Sequence, residues 1–264
     1  VCRTPPGAPG PVCKQVSFGA GQPVARTYFT VAKRGRWALS IKSPQQKIKR
    51  ILNVGVKPLP GDLATLPSLV TTGDSLMQGP DALLEDRLDD QAVVHSDVHV
   101  GSGLTRPFII DWQALPSKQL KEYKPDAVML FLGANDNTAI GSVGCCTDDW
   151  VAEYAKLARQ TMMTYTKGGA QVFWLNIPIP EQEDRQPNAL AVNKALLQAA
   201  AGMPDVHIVD IASVFTPGNV YRETMEYNGQ VVHIRQSDGL HLSVAGSSIT
   251  DKIIVEQLKK YGVL

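Results

Sequence analysis

The chain has 264 residues, of which 44% are apolar and 19% charged, with a formal net charge of +1. This length suits one large domain or one domain with an appendage, and the composition is that of an ordinary globular protein with no sign of disorder. No apolar run approaches the roughly 18 to 20 residues of a membrane-spanning helix.

The charge is unevenly placed. Eleven of the 26 basic residues and none of the acids fall within residues 1–61, which leaves 15 basic against 25 acidic residues in the remainder. A basic arm of this kind suits an acidic body or an anionic envelope surface. Its charges are scattered without a recognition motif, so nucleic acid is not an expected partner.

Residues 1–23 hold five prolines and four glycines and read as an extended arm. Four cysteines, Cys2, Cys13, Cys145 and Cys146, point to disulfides and to a secreted or cell-envelope location. Three pairings are open, and neither pair has the spacer of a zinc site. Val24 to Val31 and Trp37 to Ile41 predict a β-hairpin turning at Lys33-Arg34-Gly35-Arg36, and Ile48 to Val56 a further short element. Residues 1–61 therefore read as a basic, β-rich appendage and residues 62–264 as the main domain.

From Ser68 onward the pattern becomes regular. Strand-like runs at 69–73, 93–100, 127–132, 171–177 and 206–211 alternate with helical periodicity at 76–89, within 105–122, and at 148–166, 187–201 and 244–260. Such alternation predicts an α/β fold with a parallel sheet covered on both faces, whose ligands bind at the carboxyl ends of the strands. Asn228-Gly229 predicts a hairpin between 221–227 and 230–235.

The polar residues at those strand ends suit one reaction. Ser75 follows the first strand in Gly73-Asp74-Ser75, at the start of a helical pattern, where negative charge is favoured. Gly101-Ser102-Gly103 follows the second strand and Gly133-Ala134-Asn135-Asp136 the third, while Asp238-Gly239-Leu240-His241 precedes the last helix. Acyl transfer needs a serine, a histidine to take its proton, a carboxylate to orient the histidine and N–H donors for the oxyanion. Each piece has a plainer reading: Gly-Asp-Ser as an N-capped loop, Asn135 as a turn residue, and Asp238 with His241 as a surface pair.

Together, in this order, the four blocks resemble the SGNH hydrolases, the GDSL esterase and lipase group. The chain has Gly73-Asp74-Ser75-Leu76-Met77-Gln78-Gly79 and departs from that motif at Met77, where a small hydroxyl residue is usual. The resemblance covers residues 68 to about 260. It implies a flavodoxin-like three-layer α/β/α sandwich on a five-stranded parallel sheet, and carboxylic ester hydrolysis without a cofactor or a metal. Ser75 would be the nucleophile, His241 the general base and Asp238 its orienting carboxylate. The Ser75 N–H, the Gly103 N–H (with Gly101 as the alternative) and the Asn135 side chain would form the oxyanion hole. The absence of a G-x-S-x-G elbow argues against the α/β-hydrolase family.

Arg106, Trp112, Cys145, Cys146 and Trp150 fall near the expected strand ends and are candidates for a substrate rim. Expected substrates are short-chain acyl esters of small molecules or carbohydrates; similar domains also move acetyl groups onto or off envelope polysaccharides. A rival from another class is a metal site on His95, Asp97 and His99, which share one face of a strand at i, i+2 and i+4.

Overall fold

The structure, a computed structural model, describes residues 66–88 and 90–264 in full, together with the backbone of four strands before residue 55. It divides into two compact units, Val1–Thr65 and Leu66–Leu264.

In the first unit, β1 (Cys2–Thr4), β2 (Val12–Cys13), β3 (Gly35–Lys42) and β4 (Lys47–Val54) form an antiparallel sheet in the order β2-β1-β3-β4. Cys2 is the register partner of Cys13. The expected hairpin is corrected here. Gly35 lies inside a strand rather than in a turn, and β3 pairs along its length with β4, Gly35 opposite Val54 and Lys42 opposite Lys47. The apolar residues Ile48, Ile51, Leu52 and Val54 and a four-residue connection make this the nearer antiparallel partner, while β1 takes the other edge of β3. Residues 24–34, the other half of the expected hairpin, lie outside the described residues.

The second unit carries the parallel sheet. Its strands are β5 (Ser68–Gly73), β6 (Val93–Val98), β7 (Ala127–Phe131), β8 (Gln171–Leu175) and β9 (Val206–Val209), in the order β6-β5-β7-β8-β9. Every residue of β7 is fully buried, as a central strand covered on both faces requires, whereas β6 is an edge strand with an exposed Ser96.

Helices α1 (Gln78–Arg87) and α6 (Val244–Lys260) pack against each other, and α3 (Asp148–Lys167) packs against both α2 (Leu115–Tyr123) and α4 (Gln186–Ala200). Right-handed crossovers place α1 on one face of the sheet and α2, α3 and α4 on the other, because the chain leaves β5 in one direction and every later strand in the opposite one. The result is a three-layer α/β/α sandwich. Strand β5 is thus the switch point: its neighbours β6 and β7 both feed the far face. The crevice at such a point is where a doubly wound sheet binds its ligands.

Local chemistry fixes the helix ends. Thr147 caps α3 by accepting from the Trp150 amide at 3.2 Å, with Asp148 and Asp149 in the first turn, where the helix dipole favours acids. Beyond β9 come a short helix, α5 (Ala212–Phe215), and a two-stranded hairpin of β10 (Thr224–Tyr227) and β11 (Gln230–His233). Asn228 and Gly229 turn that hairpin with φ of 52° and 74°, the left-handed values its two-residue loop demands. Among the described residues no helix is long and apolar enough to cross a membrane.

Candidate active site

Strand β5 ends at Gly73, where φ is +151° and a β-carbon would collide with the Phe131 carbonyl of β7. Glycine there lets the two strand ends close together before the chain turns. Asp74 follows, fully buried, and its carboxylate receives three backbone amides: Leu76 at 2.8 Å, and Gly133 and Ala134 at 3.0 Å each. Burial pushes the Asp74 carboxyl up to about 6, against the pull of those amides, and the nearby Asp136 adds to the rise. One side chain therefore starts the helical turn Ser75–Met77 and also ties it to the loop after β7.

That loop is tied in turn to the loop after β6. Asp136 is buried and receives the Thr105 amide at 2.7 Å, the Thr105 hydroxyl at 2.9 Å and the Tyr154 hydroxyl at 2.8 Å. Burial raises its carboxyl above the ordinary range in spite of these donors. Asn135 donates one Nδ2 hydrogen to the Ser102 carbonyl at 3.0 Å, which leaves the second for another acceptor. Among the turns, loops and caps of the described residues, no backbone carbonyl accepts from the Ser75 or Gly103 amides.

The fourth segment arrives from the far end of the chain. Residues 234–243 double back on themselves: Ser243 N–H donates to the Ile234 carbonyl at 3.0 Å, and Gln236 N–H to that of His241 at 2.9 Å. Within this turn Asp238 Oδ1 receives the amides of Leu240 and His241, both at 3.0 Å, so its Oδ2 faces the His241 ring and lies 2.6 Å from Nδ1. His241 Nε2 then stands 2.8 Å from Ser75 Oγ, across 166 residues of sequence. Burial alone would raise the Asp238 carboxyl, but the hydrogen bonds from the His241 ring and from the two amides outweigh it and hold the group below the usual range. An ionised Asp238 keeps the proton on Nδ1 and leaves Nε2 to accept from the serine hydroxyl.

Ser75, His241 and Asp238 thus form a continuous hydrogen-bonded row, with Asn135 on a neighbouring loop. Two of the rim candidates lie elsewhere. Trp112 and Trp150 are 1% and 0% exposed. Trp150 stacks on Tyr154 and donates Nε1–H to the Thr138 carbonyl at 2.9 Å, so it belongs to the core under α3. Trp112 packs edge-on to His99 in the core between loop and helix. Nearness to a strand end in sequence does not say which way a large ring points, and burial of such a ring is strongly favourable. Arg106 is half-buried, donates Nη1–H to the Gly101 carbonyl at 2.9 Å and lies over the exposed Phe108 ring. Cys145 and Cys146 are half-buried, with Cys145 Sγ 4.0 Å from the Asp136 carbonyl.

The metal alternative meets an unsuitable geometry. His95 stacks on Tyr123, whereas His99 and Asp97 bond each other at 3.1 Å and Asp97 also receives Gln119. Among the described residues no three His, Cys, Asp or Glu side chains are grouped to hold a metal ion. Sequence reasoning overlooked the two buried acids, Asp74 and Asp136. Their signal was present as acids adjoining Ser75 and Asn135, directly after the apolar strands 69–73 and 127–132.

No curated protein sequence is similar enough to match this chain. Solved structures share its fold at low identity. An acetyl xylan esterase, AlAXEase, is 18% identical with a TM-score of 0.52, over 72% of this chain and 99% of its own. A putative SGNH hydrolase from Slackia heliotrinireducens is 19% identical with a TM-score of 0.53, over 73% and 98%. A carbohydrate esterase of family 3 from Talaromyces cellulolyticus is 16% identical with a TM-score of 0.50, over 74% and 97%. The fold is that of the SGNH hydrolases, and since residues 68–257 match the family described as "protein of unknown function (DUF459)", the chain belongs to that family.

Proposed function

We propose that the protein hydrolyses carboxylic esters through Ser75. The observation that carries this reading is the hydrogen-bonded row from Ser75 Oγ to His241 Nε2, at 2.8 Å, and from His241 Nδ1 to Asp238 Oδ2, at 2.6 Å.

Ser75 Oγ attacks the ester carbonyl carbon while its proton passes to His241 Nε2, and the carbonyl π electrons move onto oxygen. The free Nδ2 hydrogen of Asn135 and the amides of Ser75 and Gly103 receive that oxyanion, donors of a kind worth about 3 to 4 kcal/mol each. The tetrahedral intermediate collapses, the C–O bond to the alcohol breaks, and the imidazolium returns its proton to the departing oxygen. Water then attacks the acyl-serine with His241 as base, and the acid leaves. Asp238 stabilises the imidazolium in both halves without taking its proton.

The substrate class follows from narrower support. Carbohydrate esterases share this fold, and an exposed Phe108 and a half-buried Arg106 occupy the loop that carries Gly103. We read the substrate as a short acyl ester, acetylated carbohydrate included. The same acyl-serine can pass its acyl group to a sugar hydroxyl instead of water, which added acceptor would reveal. An extracytoplasmic location rests on the four cysteines, two of which, Cys2 and Cys13, are register partners of β1 and β2.

The test is acid release from a panel of p-nitrophenyl esters and acetylated glycans, with labelling by a serine-directed organophosphonate. Wild type is expected to turn over and to be labelled at Ser75, to lose both with Ser75→Ala, and to be indifferent to chelators. A wild type no more active than Ser75→Ala, and unlabelled, overturns the reading.

A further inference from the structure

Arg235 lies in the same doubled-back segment as Asp238 and His241 but takes no part in the row just described. It is 4% exposed, yet among the described residues its guanidinium meets carbonyl oxygens rather than a carboxylate. Nη1 donates to the Leu240 carbonyl at 2.7 Å and Nη2 to the Ile179 carbonyl at 2.8 Å, while Nε has no hydrogen-bond partner there. The Tyr221 ring lies 5.8 Å from Cζ. Burial lowers the guanidinium to about 10, opposed by Tyr221 and Asp238, so it stays charged at neutral pH. Burying a cation with so little compensation is costly, and an apolar side chain of similar volume would fill the space more cheaply.

What the cation holds is the peptide bond immediately before His241. The two ends of that planar unit are gripped from opposite sides: the Leu240 carbonyl by Arg235 and the His241 N–H by Asp238 Oδ1. A plane clamped at both ends fixes the direction in which the His241 side chain leaves the backbone. The second arm of the fork reaches Ile179, in the loop after β8, where the Glu181 amide donates to the Gly239 carbonyl at 3.0 Å and Gln182 Nε2 to that of Asp238 at 2.5 Å. The turn is thereby referenced to the sheet rather than only to itself. A lysine has the charge but not the rigid two-pronged spacing that bridges both carbonyls.

We propose that Arg235 is a positioning residue that sets the His241 imidazole against Ser75 by clamping the Leu240–His241 peptide to the loop after β8. The inference rests on the reading of His241 as the general base. Three proteins test it: wild type, Arg235→Met and Arg235→Lys. On the best ester of the panel, both variants are expected to lose about 10- to 100-fold in kcat with KM changed less than about threefold, the signature of a misplaced base rather than lost substrate binding.

A second readout does not depend on turnover. The downfield proton resonance of His241 Nδ1–H, expected in wild type, should disappear or exchange-broaden in both variants while far-ultraviolet circular dichroism is retained. Should Arg235→Met fail to fold, Arg235→Lys, which keeps the buried charge, decides the matter alone. Unchanged kcat and an unchanged resonance in a folded variant overturn the proposal. Loss of the resonance in an enzyme whose wild type neither turns over nor labels would retain the clamp and discard the hydrolytic reading.

Discussion

The carboxylate of Asp136 lies against the α-carbon of Gly103, so close that a β-carbon at residue 103 would collide with Oδ1. The loop after β6 thus meets the Asp136 side chain of the loop after β7 with bare backbone. Several hydrogen bonds already hold them together, among them Thr105 N–H and Oγ1–H to Asp136 and Asn135 Nδ2–H to the Ser102 carbonyl. Two of the three proposed oxyanion donors, Gly103 N–H and Asn135 Nδ2–H, are therefore placed by one contact.

Gly103→Ala should push those loops apart. The obstacle is a buried carboxylate fixed by three other donors, which cannot swing aside. We expect a fall in kcat of about 100-fold, as misplacement of a reacting group by about an ångström can produce, with a smaller change in KM. Overpacking should cost roughly 1 to 3 kcal/mol of stability. Steady-state kinetics and urea denaturation of the variant check both. Wild-type kcat in a folded Gly103→Ala protein would remove this amide from the oxyanion hole.

Trp150 offers a contrast, because it separates a core role from a substrate role. Its ring is fully buried, stacked on Tyr154 at 4.8 Å between centroids. Trp150→Ala is expected to cost about 3 to 5 kcal/mol by leaving a cavity under α3. Relative rates across the ester panel should stay as in wild type when measured well below the variant's melting temperature. A changed order of substrates with little loss of stability would return the residue to the rim.

These two residues show how much of the site was legible in advance. Gly-Asp-Ser by itself reads equally well as an N-capped loop, and it is the four blocks taken in order, each at a strand end, that single out Ser75, Asn135, Asp238 and His241 as candidates. Asn228-Gly229 likewise dictates its hairpin turn locally. The direction of Trp112 and Trp150, the partner of β3 and the meeting of Gly103 with Asp136 depend on tertiary packing, which local pattern does not encode. Strand β6 stops at Val98 although Val100 continues the apolar pattern, because Val100 has moved into the loop and is 51% exposed.

Asp74 should leave a mark on the pH dependence of folding. Its carboxyl is held at about 6 in the folded protein against an ordinary 3.8. Between these values the folded state binds the proton that the unfolded state has lost, so stability falls as pH rises. The total is roughly 3 kcal/mol by pH 7. Asp74→Asn removes this dependence, and it also places an amide nitrogen where a carboxylate oxygen now accepts from the backbone. The variant should be less stable than wild type at pH 4, and the gap should narrow by about that amount toward pH 7. Urea melts of the two proteins at pH 4, 5, 6 and 7 measure it; a gap that widens with pH would show that the carboxylate is favoured as the anion.

Asp238→Asn separates position from proton. Asp238 Oδ1 receives the Leu240 and His241 amides, so an asparagine carbonyl oxygen in the same place keeps both bonds and the turn should hold. Its Nδ2 then faces His241 Nδ1, where Oδ2 stood at 2.6 Å in the native protein. A donor in that position forces the imidazole proton onto Nε2, and Nε2 can no longer accept from Ser75. We expect kcat to fall by about 100- to 10,000-fold with stability within about 1 kcal/mol of wild type at pH 7. Phosphonate labelling of Ser75 should slow in parallel. In the native protein the Asp238 carboxyl is held below the usual range, so the stability it contributes is present above that range and is lost as pH falls through its folded value; the variant lacks this acid limb. Kinetics, labelling rates and denaturation of one pair of proteins therefore distinguish a carboxylate that sets the histidine tautomer from one that only shapes the turn, since the second role predicts an Asp238→Asn enzyme with close to native kcat.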